Sequence, residues 1–363
     1  MRKLFQYLLI ATLCIILISS MSIIGCKKTE TTTSTATETT MSKETTTTTE
    51  TTVSQTTSAQ QEVKKFHMIF VPKLVHPWYD AVEKGIKDAI ENYKKDGYEI
   101  TYDWNAPQSA DIALHVQTIE AAISKNPDIL AVSSLDPDSD TPVINEAVDK
   151  GIKVMTFDCD APQSKRIMFV GHTPEADEKS GVKVADFMVE KMGTDNAEIA
   201  LLSGSPTAPN HVARVKGFKE AIAAKYPNLK IVAEEFDNDD LEKAVTLTEA
   251  ILSAHPNIKG IYCVNASNPV GAANAIKAAG KAGKIVIVGL ADLPELMSYL
   301  KEGVITGTLY YGVYAHGYQT VKYAIDIMNG KKVPAVFDIP DLIVTKDNLD
   351  AYNKAATSPD GSW

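Results

Sequence analysis

Hydrophobic and polar positions divide the chain into three parts. An almost wholly apolar run occupies 7–24, and a tract over 29–61 follows that consists mostly of threonine, serine, glutamate, alanine and glutamine. Beyond residue 63, short β-branched runs alternate with longer segments in which apolar residues recur at helical spacing. The polar tract has too few apolar residues to form a packed core, so the sequence predicts that the folded protein begins near residue 63.

The β-branched runs predict ten strands, at 66–71, 100–103, 129–133, 153–157, 166–170, 198–203, 231–236, 260–264, 285–290 and 306–309. The helical patterns between them predict helices at 78–93, 110–124, 142–150, 178–191, 210–224, 241–254, 270–282, 293–301 and 314–328. Strands that alternate with helices through short links are typical of parallel sheets covered on both faces. A break near 172–174 separates two such series, so we expect an α/β fold with two lobes.

The N-terminal run has the features of an export signal. Arg2 and Lys3 form a basic start, and small residues lie near the end of the run. The last four residues, Ile23-Ile24-Gly25-Cys26, resemble the lipobox of bacterial lipoproteins, in which signal peptidase II cleaves before the cysteine. The resemblance implies a signal peptide over 1–25 and a lipid thioether on Cys26.

Two or more acyl chains would anchor the protein stably in the membrane. An uncleaved membrane anchor is the alternative, because the apolar run approaches the roughly 18 residues that can span a bilayer. Either way, the remaining chain is expected outside the cytoplasmic membrane. The segment 26–62 is then expected to be a disordered stalk, which as a flexible coil would extend on the order of 30 Å.

Charge and cysteine content limit the partners. The formal net charge is −10, and lysine and glutamate are scattered without a basic stripe, so nucleic acid is not an expected partner. Cys14 lies inside the signal, which leaves Cys159 and Cys263 in the folded part. Export permits a disulfide, but two cysteines in different halves favour separate thiols.

Polar residues follow several of the predicted strands. Ligands of open α/β sheets bind outside the carboxyl ends of the strands, so these residues are candidates for a binding site. The candidate segments are His76-Pro77-Trp78-Tyr79, Asp158-Cys159-Asp160, 265–269 and Ala291-Asp292.

Four of the motifs resemble those of the type-1 periplasmic binding proteins for monosaccharides, the ribose- and galactose-binding family. They are the turn at 76–79, the strand at 153–158, the helix start at 214–218 with Arg-x-x-Gly-Phe, and the turn at 265–272. They occur in the family's order, and the resemblance extends over about 66–345.

The resemblance implies two Rossmann-like lobes with parallel sheets, joined by a three-strand hinge and closing on one sugar. Lobe I would comprise 63–172 plus 312–339, and lobe II 173–311 plus 340–355. The implied function is that of a monomeric receptor that delivers a monosaccharide or polyol to an ABC permease, without a cofactor or metal. Hinge motion is expected where the chain crosses between the lobes, near 172, 311 and 340.

Trp78 and Tyr79 match positions at which the family stacks aromatic rings on the sugar. A sugar has an apolar face, which a flat ring buries, and a rim of hydroxyl groups that pair with carboxylates and amides. The alternative is packing at a helix start, which Pro77 favours. His76 replaces a family asparagine, and it is either a hydrogen-bonding group for the sugar or a solvated cap.

Asp158 ends a buried strand, where a carboxylate is costly unless something pairs with it. Ligand hydroxyl groups in a closed cleft would supply that partner, whereas helix capping is the weaker alternative because no clear helix follows. Asn265 is a second candidate, with capping of the next helix as its alternative. The further candidates, several of which replace family residues, are Ser133, Cys159, Asn210, Arg214, Asp292 and Tyr311. Of these, Arg214 matches a position that is structural or ligand-binding, and the replacements argue against ribose bound in the family's standard way.

A sensory receptor and an enzyme are the alternatives to a transport receptor. The same fold would serve a sensory ligand-binding partner of a chemoreceptor or histidine kinase, or a receptor for a non-sugar polar ligand. An enzyme is not expected, because the sequence contains no Gly-x-x-x-x-Gly-Lys-Ser/Thr, His-Glu-x-x-His, Gly-x-Ser-x-Gly or Cys-x-x-Cys motif. The segment 136–140 begins like a calcium loop, but Thr141 and Ala147 replace its glycine and glutamate, so we expect a strand-end loop beside the cleft.

Overall fold

A computed structural model describes residues 64–363. The signal peptide and the stalk predicted over 1–62 lie outside these described residues. The first half of the described chain contains β1 (Lys64–Val71), α1 (Trp78–Lys94), β2 (Tyr98–Trp104), α2 (Ile112–Ser124), β3 (Ile129–Val132), α3 (Pro137–Asp149), β4 (Lys153–Asp158), β5 (Met168–Gly171) and α4 (Pro174–Met192).

The second half continues the alternation of strand and helix. Its elements are β6 (Glu198–Ser203), α5 (Pro209–Lys225), β7 (Lys230–Phe236), α6 (Leu241–Ala254), β8 (Gly260–Cys263), α7 (Asn268–Ala278), β9 (Val286–Leu290), α8 (Pro294–Glu302), β10 (Gly307–Tyr310), α9 (Val313–Met328), β11 (Val336–Asp338), β12 (Leu342–Val344) and α10 (Leu349–Ala355).

The strands form two six-stranded sheets. The first has the order β11-β5-β4-β3-β1-β2 and is entirely parallel; the second has the order β12-β10-β9-β8-β6-β7 and is parallel except for β12. We call the first sheet with its helices the first lobe, and the second sheet with its helices the second lobe. The chain passes between the sheets at 172–173, 311–312 and 339–341. The predicted α/β fold of two lobes joined by three crossing segments is confirmed.

Strand order reverses beside β1 in the first sheet and beside β6 in the second. In an open parallel sheet, the loops at such a reversal diverge to opposite faces and leave a crevice at the carboxyl ends of the strands. The loop after β1 contains Lys73 and His76, and the loop after β6 leads into α5, which carries His211 and Arg214. The topology therefore places these residues at the two crevices.

Close contacts at glycines set the position of the helices that border the crevices. A Cβ atom on Gly317 of α9 would lie 1.9 Å from the Val82 carbonyl oxygen of α1, and one on Gly217 of α5 would lie 2.0 Å from the Glu178 carbonyl oxygen of α4. Any larger residue at these positions would push the helices apart. The Arg-x-x-Gly-Phe motif thus fixes α5 against α4 one turn after Arg214.

The structure corrects the interpretation of 136–140. This segment is the start of α3: Asp136 caps the helix by accepting a hydrogen bond from the Ser139 N–H, and Pro137 occupies the first turn. Asp140 is buried and accepts hydrogen bonds from the Ser134 hydroxyl and the Leu135 N–H. The prediction of a loop beside the cleft was therefore wrong, as was a helix start at Pro142. The short elements β11, β12 and α10 were not predicted.

No helix within residues 64–363 combines the length and the apolar character needed to cross a membrane.

Candidate ligand-binding site

A cavity of about 40 Å³ lies between the two lobes at the carboxyl ends of their strands. At roughly 10–15 Å³ for each water-sized sphere, this volume is that of a small gap between the lobes and not of an extended groove. The first lobe contributes Lys73, Leu74, His76, Trp78, Tyr79 and Asp158. The contributions of the second lobe include Asn210, His211, Arg214, Asp239, Asn265 and Tyr311.

Asp158 is the centre of a buried polar cluster in the first lobe. It ends β4 with a left-handed backbone (φ 59°), and its Oδ2 accepts hydrogen bonds from the Ser133 hydroxyl at 2.8 Å and the Tyr79 hydroxyl at 2.9 Å. Lys73 Nζ lies 3.5 Å from the same oxygen. These donors replace the water that burial removes, so the carboxylate is stabilised as an anion.

The two charges of this cluster support each other. Burial alone would lower the pKa of Lys73, but Asp158, with smaller contributions from Cys159, Tyr79 and Asp239, offsets this effect, and the pKa lies well above its ordinary value. Burial alone would raise the pKa of Asp158, but Lys73 and the two hydroxyl donors hold the pKa below its ordinary value. Lys73 Nζ also lies 3.4 Å from Cys159 Sγ, and burial raises the pKa of this thiol to about 12. The cavity therefore contains an ion pair beside a neutral thiol.

Trp78 and Tyr79 open α1 and form the aromatic wall of the cavity. Their rings meet edge to face, with centroids 5.0 Å apart, and the Trp78 ring lies 6.4 Å from Tyr311 and 5.5 Å from His316. Trp78 is 6% exposed, and its Nε1 has no hydrogen-bond partner in the part of the chain that the structure describes. The indole thus combines an apolar face with a donor that the protein leaves unpaired.

His76 connects the lobes. The Trp78 N–H donates to its Nδ1 at 3.0 Å, and its Nε2 lies 3.1 Å from Ser267 Oγ in the second lobe. Because Nδ1 accepts, a neutral ring carries its hydrogen on Nε2 and donates it to Ser267. The Ser267 hydroxyl in turn donates to the Asp239 carbonyl oxygen at 3.0 Å. Both ring nitrogens of His76 are therefore engaged by protein groups.

Arg214 is 1% exposed and is held by protein partners at three positions. Nε donates to Asp177 Oδ1 at 2.8 Å, Nη1 donates to the Val264 carbonyl oxygen at 3.2 Å, and Nη2 donates to the Tyr311 hydroxyl. Burial alone would lower the pKa of Arg214, but Asp177, with smaller contributions from Tyr311, Tyr262 and Cys159, raises it above its ordinary value. The guanidinium also lies 4.8 Å from the Tyr311 ring, so it supports that wall of the cavity.

Asn265 joins two acidic residues and caps a helix. Its Nδ2 donates to Asp237 Oδ1 at 3.1 Å and to Asp239 Oδ1 at 2.6 Å, while its Oδ1 accepts from the Ser267 and Asn268 N–H groups at the start of α7. A Cβ atom on Gly204 would lie 2.5 Å from Asn265 Nδ2, so only glycine fits there. The helix-capping alternative for Asn265 is therefore observed, and the residue also lines the cavity, whereas its contact with a ligand stays a prediction.

The structure brings eight of the eleven candidate residues to one cavity: His76, Trp78, Tyr79, Asp158, Asn210, Arg214, Asn265 and Tyr311. Ser133 and Cys159 lie behind the wall as partners of Asp158 and Lys73. Asp292 does not line the cavity, and its Oδ2 accepts a hydrogen bond from the Tyr352 hydroxyl at 3.0 Å. Lys73 and Asp239, which line the cavity, were not among the candidates.

Residues 64–363 contain no group of His, Cys, Asp and Glu side chains arranged to hold a metal ion. Cys159 and Cys263 are both buried free thiols.

The fold and the inter-lobe site define a class of protein. The family model of the periplasmic binding protein domain matches residues 68–332, and the chain belongs to this family. The resemblance drawn from the sequence motifs is thereby confirmed.

Individual relatives agree with this assignment. A D-ribose/D-allose-binding protein of Pseudomonas aeruginosa is 28% identical over 247 residues, which cover 66% of this chain and 75% of the relative. The D-allose-binding periplasmic protein of Escherichia coli K12 is 27% identical over 274 residues, which cover 74% of this chain and 86% of the relative. The structure of an ABC transporter solute-binding protein from Burkholderia graminis, in complex with D-arabinose, has a TM-score of 0.74 and 32% identity, covering 80% of this chain and 99% of that one.

Proposed function

We propose that this protein is an extracytoplasmic receptor that binds one monosaccharide or sugar-like polyol between its lobes and delivers it to an ABC importer. The observation that carries the proposal is the combination, in one small cavity, of the Trp78 indole with the buried carboxylate of Asp158. An indole buries the C–H face of a sugar ring, and a carboxylate pairs with adjacent hydroxyl groups. The names of the relatives, which bind ribose, allose and arabinose, support this class of ligand.

Closure of the lobes would couple binding to delivery. The cavity residues come from both lobes, so a ligand that contacts all of them favours the closed arrangement by its additional contacts there. The lobes would rotate about the three crossing segments, with 63–172 plus 312–339 moving as lobe I and 173–311 plus 340–355 as lobe II. The hydrogen bond from His76 to Ser267 would form on closure, because it joins the two lobes.

The N-terminal region would hold this monomeric receptor at the outer face of the cytoplasmic membrane. In this proposal, signal peptidase II releases residues 1–25 and Cys26 carries the lipid. The threonine-rich stalk over 26–62 then links the lobes flexibly to the membrane that contains the permease. Labelling of cells with a radioactive fatty acid tests the anchor. Wild type should incorporate label, whereas Cys26→Ser, which keeps its uncleaved apolar run, should remain unlabelled; label in the variant would refute lipidation at this residue.

Calorimetry with D-ribose, D-allose, D-arabinose, xylitol and myo-inositol tests ligand binding. We expect at least one of them to bind, and we expect Trp78→Ala to weaken that binding by about tenfold or more because the face of the sugar loses its cover. Trp363→Phe removes an exposed indole that lies outside the cavity and serves as the matched control. A folded wild-type protein that binds none of these compounds would contradict the proposal.

A further inference from the structure

Asp239 is a cavity residue that no sequence motif indicated. It lies beyond the edge strand β7, and both Asn238 (φ 58°) and Asp239 (φ 61°) adopt the left-handed backbone conformation, which costs energy for residues other than glycine. Its Oδ1 accepts the hydrogen bond from Asn265, but Oδ2 is buried and has no hydrogen-bond partner among residues 64–363. Buried carboxylate oxygens are rarely left without a donor, so this atom requires one from outside the protein.

A second, independent group in the same cavity also lacks a partner. Trp78 is more than nine-tenths buried, and within the described residues nothing accepts a hydrogen bond from its Nε1. Both residues line the cavity, so its border includes a residue with an unpaired acceptor from the second lobe and a residue with an unpaired donor from the first. A hydroxyl group both donates and accepts, so a ligand with several hydroxyl groups satisfies both atoms at once.

The charges around the cavity exclude a ligand that adds a carboxylate. Lys73 is paired with Asp158 and Arg214 with Asp177, whereas Asp239 forms no ion pair within the part of the chain that the structure covers. Asp237 and Asp239 already bring two carboxylates together at this corner, where both accept hydrogen bonds from Asn265 Nδ2. A ligand carboxylate placed here would be repelled by these two carboxylates.

We propose that Asp239 accepts a hydrogen bond from a hydroxyl group of a neutral sugar, and that it makes the cavity selective for neutral sugars over sugar acids. The inference rests on the proposed function and specifies its class of ligand. Asp239 also has a second role through its backbone, because its carbonyl oxygen accepts the Ser267 hydroxyl that His76 contacts from the first lobe. Contact with the ligand and closure of the lobes thus depend on the same residue.

Two substitutions at Asp239 test the assignment with the full chain in detergent, by calorimetry with D-ribose, D-allose and D-arabinose. Asp239→Ala removes the acceptor. The orientation of the Asn265 amide is fixed, because its Oδ1 accepts from the Ser267 and Asn268 N–H groups. In Asp239→Asn, the new side-chain oxygen therefore has to face Asn265 Nδ2, and the new amide nitrogen takes the place of Asp239 Oδ2. The second variant therefore keeps size and polarity while replacing an acceptor by a donor.

We expect both variants to bind the recognised sugar about 10- to 100-fold more weakly, as for the loss of a charged hydrogen bond. Asp240→Asn is the matched control, because Asp240 is exposed, caps α6 and does not line the cavity; its affinity should be unchanged. D-glucuronate and D-galacturonate should not bind the wild-type protein. Thermal melting establishes that each variant is folded.

Three kinds of failure are distinguishable. If the wild-type protein binds a panel sugar and both folded Asp239 variants bind it equally well, the role of Asp239 is refuted while the proposed function stands. If a sugar acid binds the wild type as tightly as the neutral sugar, the selectivity is refuted. If the wild type binds no neutral sugar at all, the proposed function itself fails.

Discussion

At the scale of single residues, Lys73 and Asp158 form an ion pair that lines the cavity and is almost completely buried. Their side chains are 8% and 3% exposed, so neither charge is solvated by bulk water. A buried charge that loses its partner is strongly destabilising, whereas loss of both partners together is far less so. The pair should therefore show strong coupling in unfolding experiments.

We expect Lys73→Met and Asp158→Asn each to lower the free energy of unfolding by about 3–5 kcal/mol, and the double variant to cost less than their sum by about 0.5–3 kcal/mol. Urea unfolding at pH 7 gives the free energy of unfolding of the wild type, the two single variants and the double variant. The exposed pair of Glu146 and Lys150, at 52% and 54% exposure, is the control and should show coupling of at most about 1 kcal/mol. Additive effects at Lys73 and Asp158 would contradict the assigned ion pair.

The affinity for the ligand should depend on pH through His76. Burial lowers the pKa of its ring, which faces Asp239, Lys73, Asp80 and Asp158. In the separated lobes a hydrated ring would have the ordinary pKa of about 6.5. The closed arrangement therefore binds fewer protons, and its advantage is complete above about pH 6.5 and declines as the pH falls below that value.

Calorimetry between pH 8 and pH 5 should show affinity that is constant down to about pH 6.5 and then weakens by up to about tenfold per pH unit. His76→Gln keeps an amide donor toward Ser267 but does not titrate in this range, so its profile should be flatter. A variant with the wild-type profile would assign the pH dependence to another group.

The two charged cavity residues that sequence reasoning missed differ from the rest in their local signals. Lys73 is a long charged residue in a loop, and such residues are normally exposed, so nothing in its neighbours indicates its burial against Asp158. Asp239 lies in the run Asp237-Asn238-Asp239-Asp240, which has the composition of an ordinary turn. By contrast, Trp78 and Asp158 were predictable because Asp158 ends an apolar, buried strand and Trp78 comes after another.

At the scale of elements, prediction succeeded where the apolar pattern was long enough. Every strand of four or more residues and every helix from α1 to α9 corresponds to a predicted segment, whereas β11 and β12 have three residues each and too few positions to show a period. Pro142 was misleading, because it is tolerated within α3 after the first turn that Asp136 and Pro137 begin. The crossing at 339–341 was nevertheless predicted, from the family resemblance and not from the local pattern.

Contacts between helices explain why the Arg-x-x-Gly-Phe motif carries a glycine. Gly217→Ala places a Cβ atom against the Glu178 carbonyl oxygen and should lower the free energy of unfolding by about 1–3 kcal/mol, even though alanine favours a helix. It should also weaken sugar binding, since α5 carries Arg214. Glu220→Ala, on the exposed face of the same helix, should change stability by less than about 0.5 kcal/mol. Equal urea midpoints for the two variants would exclude a close contact between α4 and α5.

At the scale of the whole molecule, the chain beyond α10 returns to the crossing segments. Gln319 Nε2 in α9 donates to the Pro359 carbonyl oxygen at 2.9 Å. Gly361 is buried with a φ of 77°, and a Cβ atom there would lie 2.8 Å from Ile339 Cγ2 and 3.4 Å from the Gly312 Cα atom. The tail over 357–363 thus contacts two of the three segments about which the lobes would rotate.

Deletion of 357–363 should therefore loosen the crossing segments without disturbing either core, because the tail contributes no residue to the apolar clusters of the lobes. We expect amide hydrogen exchange at 311–313 and 338–341 to become about tenfold faster or more, while exchange in β1 and β8 stays unchanged. Without ligand, the radius of gyration from solution scattering should also increase, since fewer contacts oppose separation of the lobes. Deletion of 362–363 alone keeps Gly361 and should reproduce the wild-type values. Unchanged exchange at both crossings in the longer deletion would show that the tail does not restrain them.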